Sequence, residues 1–276
     1  MEIGGQAIIE GILIKSKEKV AISVRKKNKI KTKTQKTSSI SKKFSKIPFL
    51  RGIVVLLDTI ILGTRALIYS AKEQEEEQEK ISNFALTLTI TISFIIAIAL
   101  FIFLPLVISK LITEERFTFN ILDGVLRIVI FIGYIIIISK SKEVRRVFEY
   151  HGAEHMAVHC YESKKELTPK NCKKFSTIHP RCGTSFIFLV LIISIILFSI
   201  VWSENFFIKF LQRIILIPII ASLSYEILKF SSKRQKNPLI KLISIPGLLI
   251  QKITTKRPDT KQLEVAIAAV KEATSP

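Results

Sequence analysis

All four histidines and all three cysteines lie between residues 151 and 182, and the rest of the 276-residue chain carries neither type. His and Cys are the side chains that bind transition metals and do nucleophilic or acid–base work near neutral pH. Within the stretch, His151-Gly152-Ala153-Glu154-His155 has the H-x-x-E-H spacing of the inverted zincins. Residues i and i+4 project from one helix face, so His151 and His155 can reach one ion. Glu154 lies between them and can orient and deprotonate a water. His159 adds another i+4 step and Glu162 follows three later. His179-Pro180-Arg181-Cys182 supplies two more donors from a second element, which is how tetrahedral zinc sites are built. The candidate ligands are His151, His155, His179 and Cys182, followed by His159 and Cys160. The expected cofactor is zinc or another divalent transition metal. Four protein ligands would close the shell, whereas three leave a position for water. Glu154 favours the catalytic version. The alternative is a loop whose histidines make ordinary hydrogen bonds. Cys172, in the Lys-rich, helix-like Thr168–Ser176, reads as a buried apolar residue. Gly152 costs helix stability, so this segment is expected to be a helix start or a loop.

The elements that must position this stretch are mostly apolar. Hydrophobic residues make up 49% of the chain, with 18 Phe and a mean hydropathy of +0.39, too apolar for an ordinary soluble domain. Crossing a bilayer core takes about 20 residues. Four segments qualify: Phe84–Ser109, Phe119–Ser139, Ser185–Trp202 and Phe206–Phe230. The last contains Lys209, Arg213 and Glu226. The expected fold is mainly α: a polytopic membrane protein with about four transmembrane helices, amphipathic interfacial helices and a small cytosolic part including a short N-terminal β element. The net charge of +20 follows the loops: 14 Lys/Arg fall between Lys15 and Arg51 and ten between Lys140 and Arg181, against Lys110 and Arg116 between the first two spans. This asymmetry points to membrane orientation rather than a specific nucleic acid, with both termini and the His/Cys loop cytosolic in a bacterial inner membrane. Structural disulfides are not expected there. The first residues carry Glu2 and Glu10 and no basic run, unlike a secretory signal.

The chain divides into a cytosolic β element and basic arm (1–48), an amphipathic and acidic helical segment (49–83), two spans (84–139), the His/Cys loop (140–184), two more spans (185–230) and a cytosolic tail (231–276). Alternation in Gln6–Leu13 and Lys19–Ile30 suggests the β element. In Phe49–Ala71, Arg51, Asp58 and Arg65 recur every seven residues and form one helical stripe. A fifth span there would move the basic 140–184 loop outside, so an interfacial helix is the preferred reading. Leu239–Ile253, broken at Pro246-Gly247, reads as a second. The run Glu73–Glu79 reads as a solvated helical face, and Ser23–Lys46 as a basic arm that sets orientation and could touch anionic headgroups or ribosomal RNA. Asp259 with Gln262 resembles a capping box opening a helix over about Thr260–Ala273. Asp123 and Arg127 pair at i+4. Glu226, near the cytosolic end of the fourth span, is a second catalytic candidate; pairing with Lys229 or snorkelling is the structural alternative.

Several motifs, in order, resemble one family: GGQAIIEG at Gly4–Gly11, YHGAEH at Tyr150–His155, HPRCGTSF at His179–Phe186, SYEI at Ser224–Ile227, and PGLLIQKITT with QLEVAIAA near the end. They are similar to the bacterial YqhQ-like group of membrane proteins, described as predicted metal-dependent enzymes. The resemblance covers nearly the whole chain. It implies metal-site residues His151, Glu154, His155, His179 and Cys182, and brings no substrate.

Two functions follow as expectations. One is a membrane-embedded, zinc-dependent hydrolase acting on a lipid or peptide at the cytosolic face. The other is a non-enzymatic factor, for membrane-protein biogenesis or scaffolding, whose metal is a structural staple. Beyond the bilayer, a membrane or ribosome-linked protein partner fits the second. A transporter is weaker, because the intramembrane charges lie near span ends.

Overall fold

A computed structural model describes residues 3–38, 44, 46–74, 82–232, 234 and 237–275. Residues 39–43 and 45 of the basic arm, and all of the acidic run beyond Gln74, lie outside the described residues. The chain opens with a four-stranded antiparallel meander, β1 (Gly4–Ile8), β2 (Gly11–Lys15), β3 (Lys19–Lys26) and β4 (Lys29–Lys36), in the order 1-2-3-4. The two alternating stretches of the sequence each straddle a turn. Gln6–Leu13 bends at Ile9-Glu10 and Lys19–Ile30 at Lys27-Asn28, so each spans two strands.

This sheet is covered on both sides. Ile8, Leu13, Val20, Ile22 and Val24 face Leu62, Ala66 and Tyr69 of α1 (Leu50–Gln74). Ile12, Ile14 and Ala21 face α5 (Lys142–Glu162) and α10 (Thr260–Thr274). Alternating apolar residues on both strand faces demand this sandwiching. The N-terminal, His/Cys and C-terminal stretches, separate in sequence, thus form one packed α/β unit. The expected capping box is present: Asp259 Oδ1 accepts from the Gln262 N–H (2.7 Å), and Gln262 Oε1 accepts from the Asp259 N–H (2.8 Å).

Among the described residues, five helices are long and apolar enough to cross a membrane. The first is α1. Its sheet-facing side is held by Lys15–Asp58 and by Lys31–Glu73 at 2.8 Å, while Leu57, Ile61 and Leu67 on its other side are exposed. The stripe expected from its heptad spacing divides: Asp58 meets the sheet, Arg51 meets Glu226, and Arg65 is exposed. The second rod is α2 (Asn83–Ile98), a π-helical turn (Ala99–Phe103) and α3 (Leu104–Ile112). Pro105 cannot donate back to the preceding turn, and the wider turn accommodates it. The others are α4 (Arg116–Ile138), α7 (Gly183–Ile200) and α8 (Phe206–Ser232), with the short α6 (Pro169–Cys172) before α7. Helix α9 (Pro238–Thr254) is continuous through Pro246-Gly247, where a break is expected from sequence. Gly247 lies flush against Ser185 of α7; a Cβ there would stand 2.6 Å from the Ser185 Oγ.

Among the apolar helices, Asp123 and Arg127 pair as expected (2.7 Å), but Arg213 of α8 also binds Asp123 (2.7 Å) and Arg127 reaches Ser194 of α7 (2.9 Å). One carboxylate, 2% exposed, therefore ties α4 to α8, and its arginine ties α4 to α7. Asp123→Asn should cost about 3–5 kcal/mol by stranding two buried guanidinium groups, read as a lower unfolding midpoint in detergent.

Contrary to the sequence expectation, Gly152 sits mid-helix in α5. The chain after α9 crosses α5 there: Lys256 N–H donates to the Phe148 carbonyl (2.9 Å), and a Cβ on Gly152 would lie 2.0 Å from the Lys256 carbonyl oxygen. The propensity cost of about 1 kcal/mol is outweighed by this crossing. Gly152→Ala should lower stability by at least about 1–3 kcal/mol, whereas Gly133→Ala, with open space around it, should not; thermal melts of both variants check the contrast.

Candidate metal centre

Helix α5 starts at Ser141, whose hydroxyl caps the Val144 N–H (3.3 Å). One face, with Tyr150, Ala153, Ala157 and Cys160, enters the core. The opposite face carries His151, His155, His159 and Glu162, spaced as one helical row. Against that row lies Thr177–Cys182, the approach to α7.

The structure brings together His151, His155 and Cys182, with donor atoms all within 4.8 Å of one another. His151 Nε2 is 3.2 Å from the Cys182 Sγ. Each imidazole is fixed from behind by a backbone carbonyl: His151 Nδ1–H donates to Thr254 (2.9 Å) and His155 Nδ1–H to Thr177 (2.5 Å). That leaves the Nε2 lone pair of each ring without a backbone partner, His151's against the thiol and His155's beside Glu154. A carbonyl behind the ring that sets the tautomer is the usual second layer of a metal site. Two nitrogens and a sulfur fit zinc or a similar borderline-soft divalent ion.

Burial keeps this group uncharged. It pushes His155 down to about 2, helped by the neighbouring histidines, and lowers His151 against the opposing Thr254 bond. It raises the Cys182 thiol to about 11. Neutral imidazoles are ready ligands, while the thiol must lose its proton to an arriving cation. Glu154, 5% exposed, stands beside the group with its Oε2 3.4 Å from the His155 Nε2. Burial, with Glu162 nearby, raises its carboxyl to about 8. Strand β1 covers it: a Cβ on Gly5 would come 2.5 Å from the Glu154 Oε1.

The four-ligand grouping expected from sequence splits. His179 joins His159 and Glu162 in a second group, also within 4.8 Å. Here the hydrogen bonds leave no lone pair on His179. Its Nδ1 accepts the Arg181 N–H (3.2 Å), so its Nε2–H faces the Glu162 Oε2 (3.3 Å). Glu162 also binds the Arg181 guanidinium. Burial alone would raise the Glu162 carboxyl, but His179 and Arg181 together hold it below the ordinary range. His159 Nε2–H donates to the Ile178 carbonyl (3.0 Å). This second group braces the loop that carries Cys182.

Two further expectations are corrected. Cys160 points to the opposite side of α5, into the core, with its sulfur 3.5 Å from the Glu166 carbonyl. Glu226 is tied to Arg51 and accepts the Phe49 N–H (3.1 Å), so its carboxylate anchors α1 to α8. Sequence reading missed Gln251 of α9. Its Oε1 accepts the His179 N–H (2.8 Å), and its Nε2 donates to the His179 carbonyl (3.0 Å) and the Ser185 Oγ (3.2 Å). Only its place in the PGLLIQKITT motif could have flagged it.

A family described as Protein of unknown function (DUF1385) matches residues 47–275. The chain belongs to this family. It is also 31% identical over 293 residues to "Uncharacterized protein YqhQ" of Bacillus subtilis strain 168, covering 98% of this chain and 91% of that one. No solved structure matches.

Glu154 yields a pH test on metal-free protein. Its folded value of about 8 lies above the usual carboxyl range, so between roughly pH 5 and 8 the folded state holds a proton that the unfolded state has lost. Stability must then fall as pH rises. Above about pH 7.5 the buried histidines are almost wholly neutral in both states. Metal-free wild type should therefore lose melting temperature between about pH 7.5 and 8.5, and Glu154→Gln should lose clearly less.

Proposed function

We propose that this protein is a metal-dependent hydrolase of the bacterial cytoplasmic membrane, with its centre at the cytosolic face. The observation that carries the reading is three converging donors, His151, His155 and Cys182, with the Glu154 carboxylate beside them but outside the ligand group. Three protein ligands leave a coordination position for reactants. A bound divalent ion would supply Lewis acidity there. The chain's own residues do the rest. Thr254 and Thr177 orient the imidazoles, Glu154 takes and returns the proton of an attacking water, and β1 shields that carboxyl from bulk solvent. A carboxyl raised by burial is poised for proton transfer near neutral pH.

The topology we propose has four spans, α2–α3, α4, α7 and α8, with α1 in the interface. Supporting this are α1's packing on the sheet through Leu62 and Ala66 and the basic residues concentrated on the side of the α/β unit. Both termini then lie in the cytosol.

A second reading is a non-enzymatic membrane factor with a structural metal. The deep burial of His155, 2% exposed, favours it. Metal analysis of purified full-length protein, combined with complementation of a deletion strain, separates the two. We expect about one zinc per chain in wild type and in Glu154→Gln, and loss of the metal in His155→Ala. Glu154→Gln should fail to complement. If it complements fully, the hydrolase gives way to the structural reading.

A further inference from the structure

We infer that the centre takes a substrate held in the bilayer, an amphiphile presented at headgroup level, rather than a water-soluble one. This rests on the hydrolytic reading above and names its substrate class.

The argument begins with a length. Helix α7 has 18 residues, or about 27 Å at 1.5 Å per residue. The hydrocarbon core is about 30 Å thick. A helix this short spans only if its first residue, Gly183, stands at the edge of the core. Cys182 is the N-cap of that helix, its sulfur 3.2 Å from the Thr184 hydroxyl. A donor of the centre is therefore held at the lipid boundary by the span itself.

Helix α9 adds an independent constraint. Its inner face supplies the Thr254 carbonyl to His151 and the Gln251 amide to the loop before Cys182. Its outer face shows Leu242, Ile245 and Leu249, exposed by 64%, 45% and 52% and spaced as one helical stripe. Gly247 pins α9 to the first turn of α7 at Ser185, and α9 also touches α4. An apolar stripe on a helix lodged against the first turn of α7 and against α4 has lipid as its natural partner. The centre thus stands one helix diameter, about 10 Å, from the acyl boundary.

Full-length protein, loaded with cobalt(II) in place of zinc, is placed in nanodiscs of phosphatidylethanolamine and phosphatidylglycerol. Two probes with the same chelating head, dodecanohydroxamate and acetohydroxamate, are titrated while the visible cobalt band is followed. The dodecyl probe should shift the band at a concentration at least about tenfold lower, because its chain concentrates it beside the ion. A centre remote from lipid would show no such advantage, since the bilayer would then draw the probe away. Leu249→Lys, an exposed position, should shrink the advantage. Equal potency of the two probes overturns this inference and leaves the hydrolytic reading standing. If cobalt binds and neither probe shifts the band, the open coordination position is wrong and both readings fall. If no cobalt–thiolate absorption develops, or it persists in Cys182→Ser, the centre itself is misassigned.

Discussion

The crossing of the Lys256 backbone over α5 at Gly152 is the contact on which the centre depends. Two backbones this close leave no room for any side chain. The reward is that the last turn of α9 arrives beside His151 with a free carbonyl. Helix C-termini always leave carbonyls without intrahelical partners; here the one on Thr254 fixes an imidazole. The same crossing delivers the extended chain to Asp259, where α10 begins and returns to cover the sheet. A single glycine thus sets the ring orientation of one donor and the position of the C-terminal helix.

From this follows a division of labour along one helical row. His151 and His155 are fixed through Nδ1 by carbonyls and turn the same nitrogen inward. One turn further on, His159 bonds the Ile178 carbonyl, while His179 of the facing loop bonds Glu162, with Arg181 completing the lock. The chemical difference comes from partners rather than from residue type: of the three histidines put first in sequence, His179 becomes a brace like the second-choice His159, and only His151 and His155 keep an Nε2 for a ligand role. Glu154 differs again, since β1 lies over it and leaves it neither a ligand nor a brace.

Much of this was legible in the sequence, in proportion to how local the signal is. The long apolar runs and the Asp259–Gln262 cap depend on neighbours a few residues away, and they stand close to where spacing puts them. The H-x-x-E-H face was legible for the same reason. Gly152 misled because local propensity opposed a tertiary contact with residue 256. Arg213 was not paired with Asp123 because the two are 90 residues apart. Thr254 and Thr177 act through backbone carbonyls, which leave no mark in residue type. The N-terminal strands were blurred because Glu10, and not the adjacent Gly11, takes the left-handed turn conformation (φ 50°); Arg146 and Tyr150 hold its carboxylate in place (2.7 and 3.2 Å).

The α/β unit joins the N-terminal strands to α10. Lys19 in β3 reaches the Ser275 carbonyl (3.0 Å) and Arg25 reaches Glu264 (2.6 Å), with every apolar helix between them in sequence. Helix α1 follows the meander directly and covers one of its faces. The other face, with Ile12, Ile14 and Ala21, is covered by α5 and α10, and α10 follows every apolar helix in sequence. That face therefore cannot close until all of those helices have been made, and a chain that keeps α10 from docking leaves Ile12, Ile14 and Ala21 uncovered.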